Sequence, residues 1–112
     1  MDIVHLSEIA ESGVSHDPAI RKKVLIKHGR IPKLTNFSQS ILKPGQICPM
    51  HVHPDMWEVY LVDRGTGSII IEEEEIVLKK GDCLIVDPGE KHSMQNTSSN
   101  EDLHLTYFGI EQ

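Results

Sequence analysis

The stretch that most constrains this chain runs from Gly45 to Gly65: Gly-Gln-Ile-Cys-Pro-Met-His-Val-His-Pro-Asp-Met-Trp-Glu-Val-Tyr-Leu-Val-Asp-Arg-Gly. His51 and His53 stand at i and i+2, so on an extended segment both rings point to one face of a sheet. Their Cα atoms then lie about 6.6 Å apart, within reach of one ion at about 2.0–2.1 Å from each nitrogen. Pro54 ends the extended run, because it has no N–H to give to a ladder. Glu58 opens the next apolar run, Glu58–Val62, and a short turn through 54–57 returns its carboxylate to the imidazoles. Three donors of a metal site thus come from one strand–turn–strand unit, and that unit requires β-structure.

A fourth donor should lie far along the chain in the same β context. The segment Gly81–Asn96 supplies it: a Gly81-Asp82 turn, an apolar strand Cys83–Val86, a tight Pro88-Gly89 turn, and His92 opening the next strand. Together the two segments resemble the two motifs of the cupin superfamily. Gly45, His51, His53, Glu58 and Gly65 match the first motif, and Gly81, Gly89, His92 and Asn96 match the second. Asp87 stands where the family has proline, and its carboxylate is expected to cap the turn before His92. Fifteen residues separate the motifs, similar to the short spacer of small single-domain microbial cupins. The resemblance implies a jelly-roll-like β-barrel, or double-stranded β-helix. It also implies one divalent transition ion (Mn, Fe, Ni or Zn) on His51, His53, Glu58 and His92. Asn96 is, on the same basis, a turn or strand-packing residue with no catalytic role.

The rest of the chain agrees with an all-β domain. Residues 1–33 read as an N-terminal arm and edge strands of the same single domain, and residues 34–112 as the barrel. Ile3–Leu6 reads as an edge strand, and Glu8–Glu11 as at most one helical turn. Arg21-Lys22-Lys23 precedes Val24-Leu25-Ile26 and reads as a solvated edge strand rather than an anion site. Leu34–Leu42 is a strand with Phe37, Gln39 and Ile41 on one face and Asn36, Ser38, Ser40 and Leu42 on the other; which face is buried stays open. If His51 and His53 face inward, strict alternation turns Cys48, Met50 and Val52 outward. Glu58, Tyr60 and Val62 share the ligand face, while Trp57, Val59 and Leu61 form an apolar face on the other side. A strand apolar on both faces points to a homodimer interface. Ser68–Leu78 reads as a hairpin with Glu73-Glu74 at a glycine-free, strained tip. Leu103–Ile110 is the last strand.

Composition narrows the function classes. The chain has 112 residues, 38% hydrophobic and 25% charged, which suits one soluble domain. A net charge of −6 argues against nucleic acid and anionic membranes as partners. There is no run of 18 apolar residues and no signal-peptide pattern at the start, so the cytoplasm is the expected compartment. Cys48 and Cys83 are then expected to be free thiols.

His5, His16, His28 and His104 read individually as ordinary polar residues. His51, His53, Glu58 and His92 do not, because burying them without an ion leaves polar groups and a charge poorly compensated. Tyr60, Met94 and His104 are the candidate pocket residues beside them. The expected function is a metalloenzyme acting on a small organic substrate, either a dioxygenase or a Lewis-acid isomerase or lyase. The alternative is a non-catalytic small-molecule binding or sensing module. A structural or storage role fits the complete ligand set and bacterial-like size poorly.

Overall fold

Alternation of side chains and Gly-, Pro- or Asp-bearing turns break this chain into short strands. The computed structural model describes residues 1–112. Its ten strands are β1 Ser12–Val14, β2 Asp17–Ile26, β3 Leu34–Leu42, β4 Ile47–His51, β5 Met56–Arg64, β6 Thr66–Ile71, β7 Glu74–Lys79, β8 Cys83–Val86, β9 His92–Gln95 and β10 Leu103–Glu111. One sheet has six strands in the order β1-β2-β3-β10-β5-β8, and the other has four in the order β4-β9-β6-β7. All pairings are antiparallel. The chain passes repeatedly between the sheets, so sequence-distant strands such as β3, β10 and β5 become neighbours. This is the all-β, jelly-roll-like barrel that the two motifs implied.

Register shows what faces inward. On β3 the buried residues are Ser38, Ser40 and Leu42, and their partners on β10 are Tyr107, Leu105 and Leu103. On β5, Glu58, Tyr60 and Val62 are buried, while Trp57 and Leu61 remain on the outer face. One end of the interior is filled by Val62, Ile69, Leu78 and Leu103, all buried in a single cluster. Toward the other end β5, β9 and β10 carry Glu58, His92 and Gly109. The apolar end therefore anchors strands whose opposite ends present polar groups.

Several details differ from the sequence-based expectations. Ile3–Leu6 is not a strand; the only regular element there is a 3-10 turn at Leu6–Glu8. β2 is not an edge strand, because β1 and β3 flank it. The β6–β7 hairpin turns at Glu72-Glu73 rather than Glu73-Glu74, since Ile71 pairs with Glu74. Both turn residues have positive φ, 47° and 77°. The right-handed twist of the flanking strands favours that turn geometry, although neither residue is glycine or asparagine. The Glu72 carboxylate accepts a hydrogen bond from the Lys91 N–H at 3.0 Å, which ties the tip to the segment before β9. Gly65, by contrast, is required: it has φ 89°, and a Cβ there would overlap the Asp102 carbonyl. No helix is long and apolar enough to cross a membrane.

The tip offers a direct stability test. Glu73→Asn should stabilise the protein by up to about 1 kcal/mol, because asparagine tolerates positive φ. Glu73→Val should lower the thermal midpoint, since a β-branched residue is poorly accommodated there. Thermal denaturation followed by circular dichroism reads both.

Candidate metal centre

The four donors come from three strands and one loop. His51 ends β4, His53 follows it, Glu58 sits on β5 and His92 opens β9. Their nearest ligand atoms all lie within 4.8 Å of one another. Donors about 2.1 Å from one ion lie at most about 4.2 Å apart, so the set would have to draw in around the ion. The His53 carbonyl accepts a hydrogen bond from the Gly89 N–H at 2.8 Å, so the turn before His92 is fastened to the first ligand pair.

Backbone carbonyls fix the ring orientations. His51 Nδ1 lies 2.8 Å from the Pro49 carbonyl and His92 Nδ1 lies 3.0 Å from the Glu90 carbonyl. With Nδ1–H donating in each case, Nε2 is the nitrogen directed toward an ion. Glu58 Oε1 lies 3.0 Å from His92 Nε2 and 3.4 Å from His53 Nε2, and the Tyr60 hydroxyl donates to Oε2 at 3.0 Å.

Electrostatics follow from this packing. Burial by itself would raise the Glu58 carboxyl, but the hydrogen bond from His92, the nearby His53 and the Tyr60 hydroxyl hold it below its ordinary value. Burial lowers His51 to about 4, leaving its imidazole neutral and able to donate a lone pair at neutral pH. Burial also opposes protonation of His92, but hydrogen bonds to Glu58 and the Glu90 carbonyl raise it. Three imidazoles with one carboxylate suit borderline divalent ions, and the donor set fits the ion that the motifs implied.

The donors form part of the wall of a cavity of about 160 Å³. Tyr60 and Met94 line it. His104 does not: it pairs with Ile41 on the outer face of the six-stranded sheet and borders a separate groove with Asp63 and Gln39. Gly109 lies opposite Glu58 across the β10–β5 ladder, and a Cβ on it would come 2.5 Å from Thr35 Oγ1. Glycine there keeps the wall open beside the carboxylate.

Two cavity residues escaped the sequence analysis. His16, in the two-residue turn between β1 and β2, stacks on His51 with ring centroids 3.9 Å apart. Burial and the neighbouring His53 lower its pKa. Nothing local distinguishes His16 from the other isolated histidines, since its neighbours at the centre are more than thirty residues away. Cys48 lines the same cavity, contrary to strict alternation. Cys48 pairs with Met94 and His51 with His92, so β4 inserts one extra residue opposite β9. Pro49, which cannot donate to the ladder, lies in that bulge. Proline after Cys48 was the available signal.

The second motif is built differently from expectation at Asp87. The Asp87 carboxylate does not cap the turn; its N–H donates to Glu90 Oε1 at 2.7 Å. A proline at this position would have no N–H to offer, so the replacement allows a different turn closure. Asn96 is structural: its side-chain N–H groups donate to the carbonyls of Leu42 at 2.9 Å and Glu101 at 2.7 Å.

The family profile for the cupin domain matches residues 39–108, and the chain belongs to that family. It is 28% identical over 104 residues to the oxalate-binding protein of Thermotoga maritima, covering 88% of this chain and 86% of that one. A solved structure of a predicted oxalate decarboxylase from Thermotoga maritima superposes with a TM-score of 0.87 at 27% identity, covering 99% of this chain and 100% of that one. A sugar phosphate isomerase of the cupin superfamily from Silicibacter pomeroyi has a TM-score of 0.82 at 16% identity, covering 99% and 76%, a likeness of fold.

The two thiols should differ sharply. Burial pushes Cys48 up to about 11, whereas Cys83 is exposed. Iodoacetamide at pH 8 should therefore modify Cys83 first, and Cys48 at least about tenfold more slowly, because the thiolate is the nucleophile. The Cys48 rate should climb as pH rises toward 11; peptide mapping by mass spectrometry measures both.

Proposed function

We propose that this cupin is a divalent-metal-dependent enzyme acting on a small organic carboxylate, with lyase chemistry of the decarboxylating kind. The observation that carries the reading is the convergence of His51, His53, Glu58 and His92 on a cavity of about 160 Å³. A cavity of about 150 Å³ holds a six-carbon ring in another protein, so a ligand of about six heavy atoms fits the space here. The names of the Thermotoga maritima relative and of the Thermotoga maritima structure support carboxylate chemistry over a dioxygenase reaction.

Roles follow from the geometry. His51, His53, Glu58 and His92 would hold the ion, and the carbonyls of Pro49 and Glu90 would keep His51 and His92 aimed at it. When bound, a Mn, Fe, Ni or Zn ion supplies Lewis acidity and a bound water of lowered pKa. Tyr60 keeps one Glu58 oxygen occupied by hydrogen bonding. Met94 and Leu105 form apolar walls that limit water around the ligand.

A second reading is a non-catalytic binder of the same ligand, which the name of the oxalate-binding relative favours. Elemental analysis of anaerobically purified protein should find about one divalent ion per chain, and titration calorimetry should find saturable oxalate binding. Carbon dioxide release from oxalate supports the enzyme; binding without turnover supports the binding module. The double variant His51→Ala/His53→Ala should lose both metal and oxalate binding while keeping its β-type circular dichroism spectrum. Oxygen uptake without carboxylate cleavage would favour the dioxygenase reading instead.

The reading includes a homodimer. Trp57, Leu61 and Ile85 are 36%, 41% and 61% exposed on the outer face of the six-stranded sheet. Val59 stands beside Ile85 and Phe108, and Trp57 beside Ile110, so the apolar face is continuous across three strands. Such a face suits the dehydrated centre of a standard interface of about 800 Å² per partner. Trp57→Asp should shift sedimentation from dimer to monomer; an unchanged profile would exclude this face.

A further inference from the structure

The run Arg21-Lys22-Lys23 separates into residues with different surroundings. Across the β2–β3 ladder, Lys22 stands opposite Ser40, whereas Arg21 stands opposite Ile41 and Lys23 opposite Gln39. Ser40 is buried and lines the metal-centre cavity; Gln39 and Ile41 lie on the outer face. Directly opposed residues in an antiparallel pair share a face, so Lys22 points inward and its two neighbours point outward. Lys22 accordingly lines the cavity, at a rim where it also borders the outer groove beside Arg21 and Lys23.

The outward pair have partners. Arg21 lies 3.6 Å from Glu11 and donates to the Pro18 carbonyl at 3.1 Å, and Lys23 donates to the Leu6 carbonyl at 3.3 Å. The Lys22 side chain makes no ion pair or hydrogen bond, and the residue is partly buried. Apart from the histidines, it is the sole basic side chain of the cavity, and Glu58 is the sole carboxylate. A cationic side chain without an anionic partner at the wall of a cavity is free to meet an anionic ligand there.

The hairpin that carries Lys22 is also fixed to the centre. His16, in its turn, stacks on His51, with ring centroids 3.9 Å apart. That contact holds the start of β2 against a metal-ligating residue, so Lys22 and the four donors border one space in a defined arrangement. Glu58 with a divalent ion leaves one positive charge, and Lys22 adds a second. The cavity then matches a dianion, whereas the ligand set by itself favours a monoanion.

We propose that Lys22 selects substrate charge: it docks the distal oxygens of a small dicarboxylate whose near oxygens face His51, His53, Glu58 and His92. The assignment rests on the reading of the cavity as a metal-dependent carboxylate site, and it names the class as a short dicarboxylate. Lys22 is a specificity-determining residue that contacts substrate, while His16 positions the hairpin.

The test uses metal-loaded protein and three ligands of nearly equal size: oxalate, its monoamide oxamate, and the neutral diamide oxamide. Wild-type protein should bind them in that order by titration calorimetry. Lys22→Met should weaken oxalate by about tenfold or more, the cost of one charge-assisted hydrogen bond, and change oxamide by less than about twofold. Lys22→Arg should restore the preference for oxalate over oxamide. Metal content and thermal midpoint, measured on each variant, should match wild type. Oxalate binding to Lys22→Met within about twofold of wild type, at full metal content, would overturn the assignment alone. Wild-type protein that binds oxalate no better than oxamide would also overturn it. Failure of metal-loaded wild-type protein to bind any carboxylate would overturn the functional reading and this assignment together.

Discussion

The buried carboxylate of Glu58 is the interaction on which the rest of the centre depends. It is 7% exposed, and a charge so placed must be compensated on every side. His92 and His53 approach one oxygen and Tyr60 donates to the other. Each of these partners imposes a demand on the fold. Tyr60 requires regular alternation on β5, His92 requires β9 in the facing sheet, and His53 requires the chain to double back after β4. Gly109 requires β10 to pass directly beside the carboxylate without a side chain.

The two sheets meet those demands because their far end is apolar. Leu103 and Ile69 are fully buried, and Val62 nearly so. They lock the strands into one register, and register decides which side chains meet at the opposite end. Rigidity near the ligands has a second source in the backbone. The bond from Gly89 N–H to the His53 carbonyl joins the two motifs, and Asn96 fastens the end of β9 to β3 and to the loop before β10. Ligand geometry thus rests on main-chain hydrogen bonds as well as on packing, which is how a loop residue such as His53 can serve as a donor.

A centre built from motif residues is common property of the family; the remaining wall is where this chain can differ. Part of that wall comes from the β1–β2 hairpin, outside the residues matched by the family profile, which begin at position 39. Val14, His16, Ile20 and Lys22 all belong to it. Ligand choice in a cavity depends on such surrounding groups, while the ion-holding set fixes only the kind of chemistry available.

Much of this was legible in the sequence, and the divide has a physical basis. Period-two alternation and Gly or Pro turns are local properties, so the strands, the shared face of Glu58, Tyr60 and Val62, and the ligand-type residues were readable from spacing. The residues that spacing did not place depend on contacts between distant segments. His16 joins the centre because β2 pairs with β3 and carries the hairpin over β4. His104 leaves it because β10 turns Leu103 and Leu105 inward instead. Cys48 faces the cavity because the bulge at Pro49 breaks alternation, and Lys22 borders it because the β2–β3 register sets it opposite the buried Ser40. The sequence by itself determined which residues can bind an ion and that they sit on strands, since residue chemistry and alternation require no partner. Only the tertiary structure decided which other side chains share their cavity, since that depends on strand pairing and register across the whole barrel.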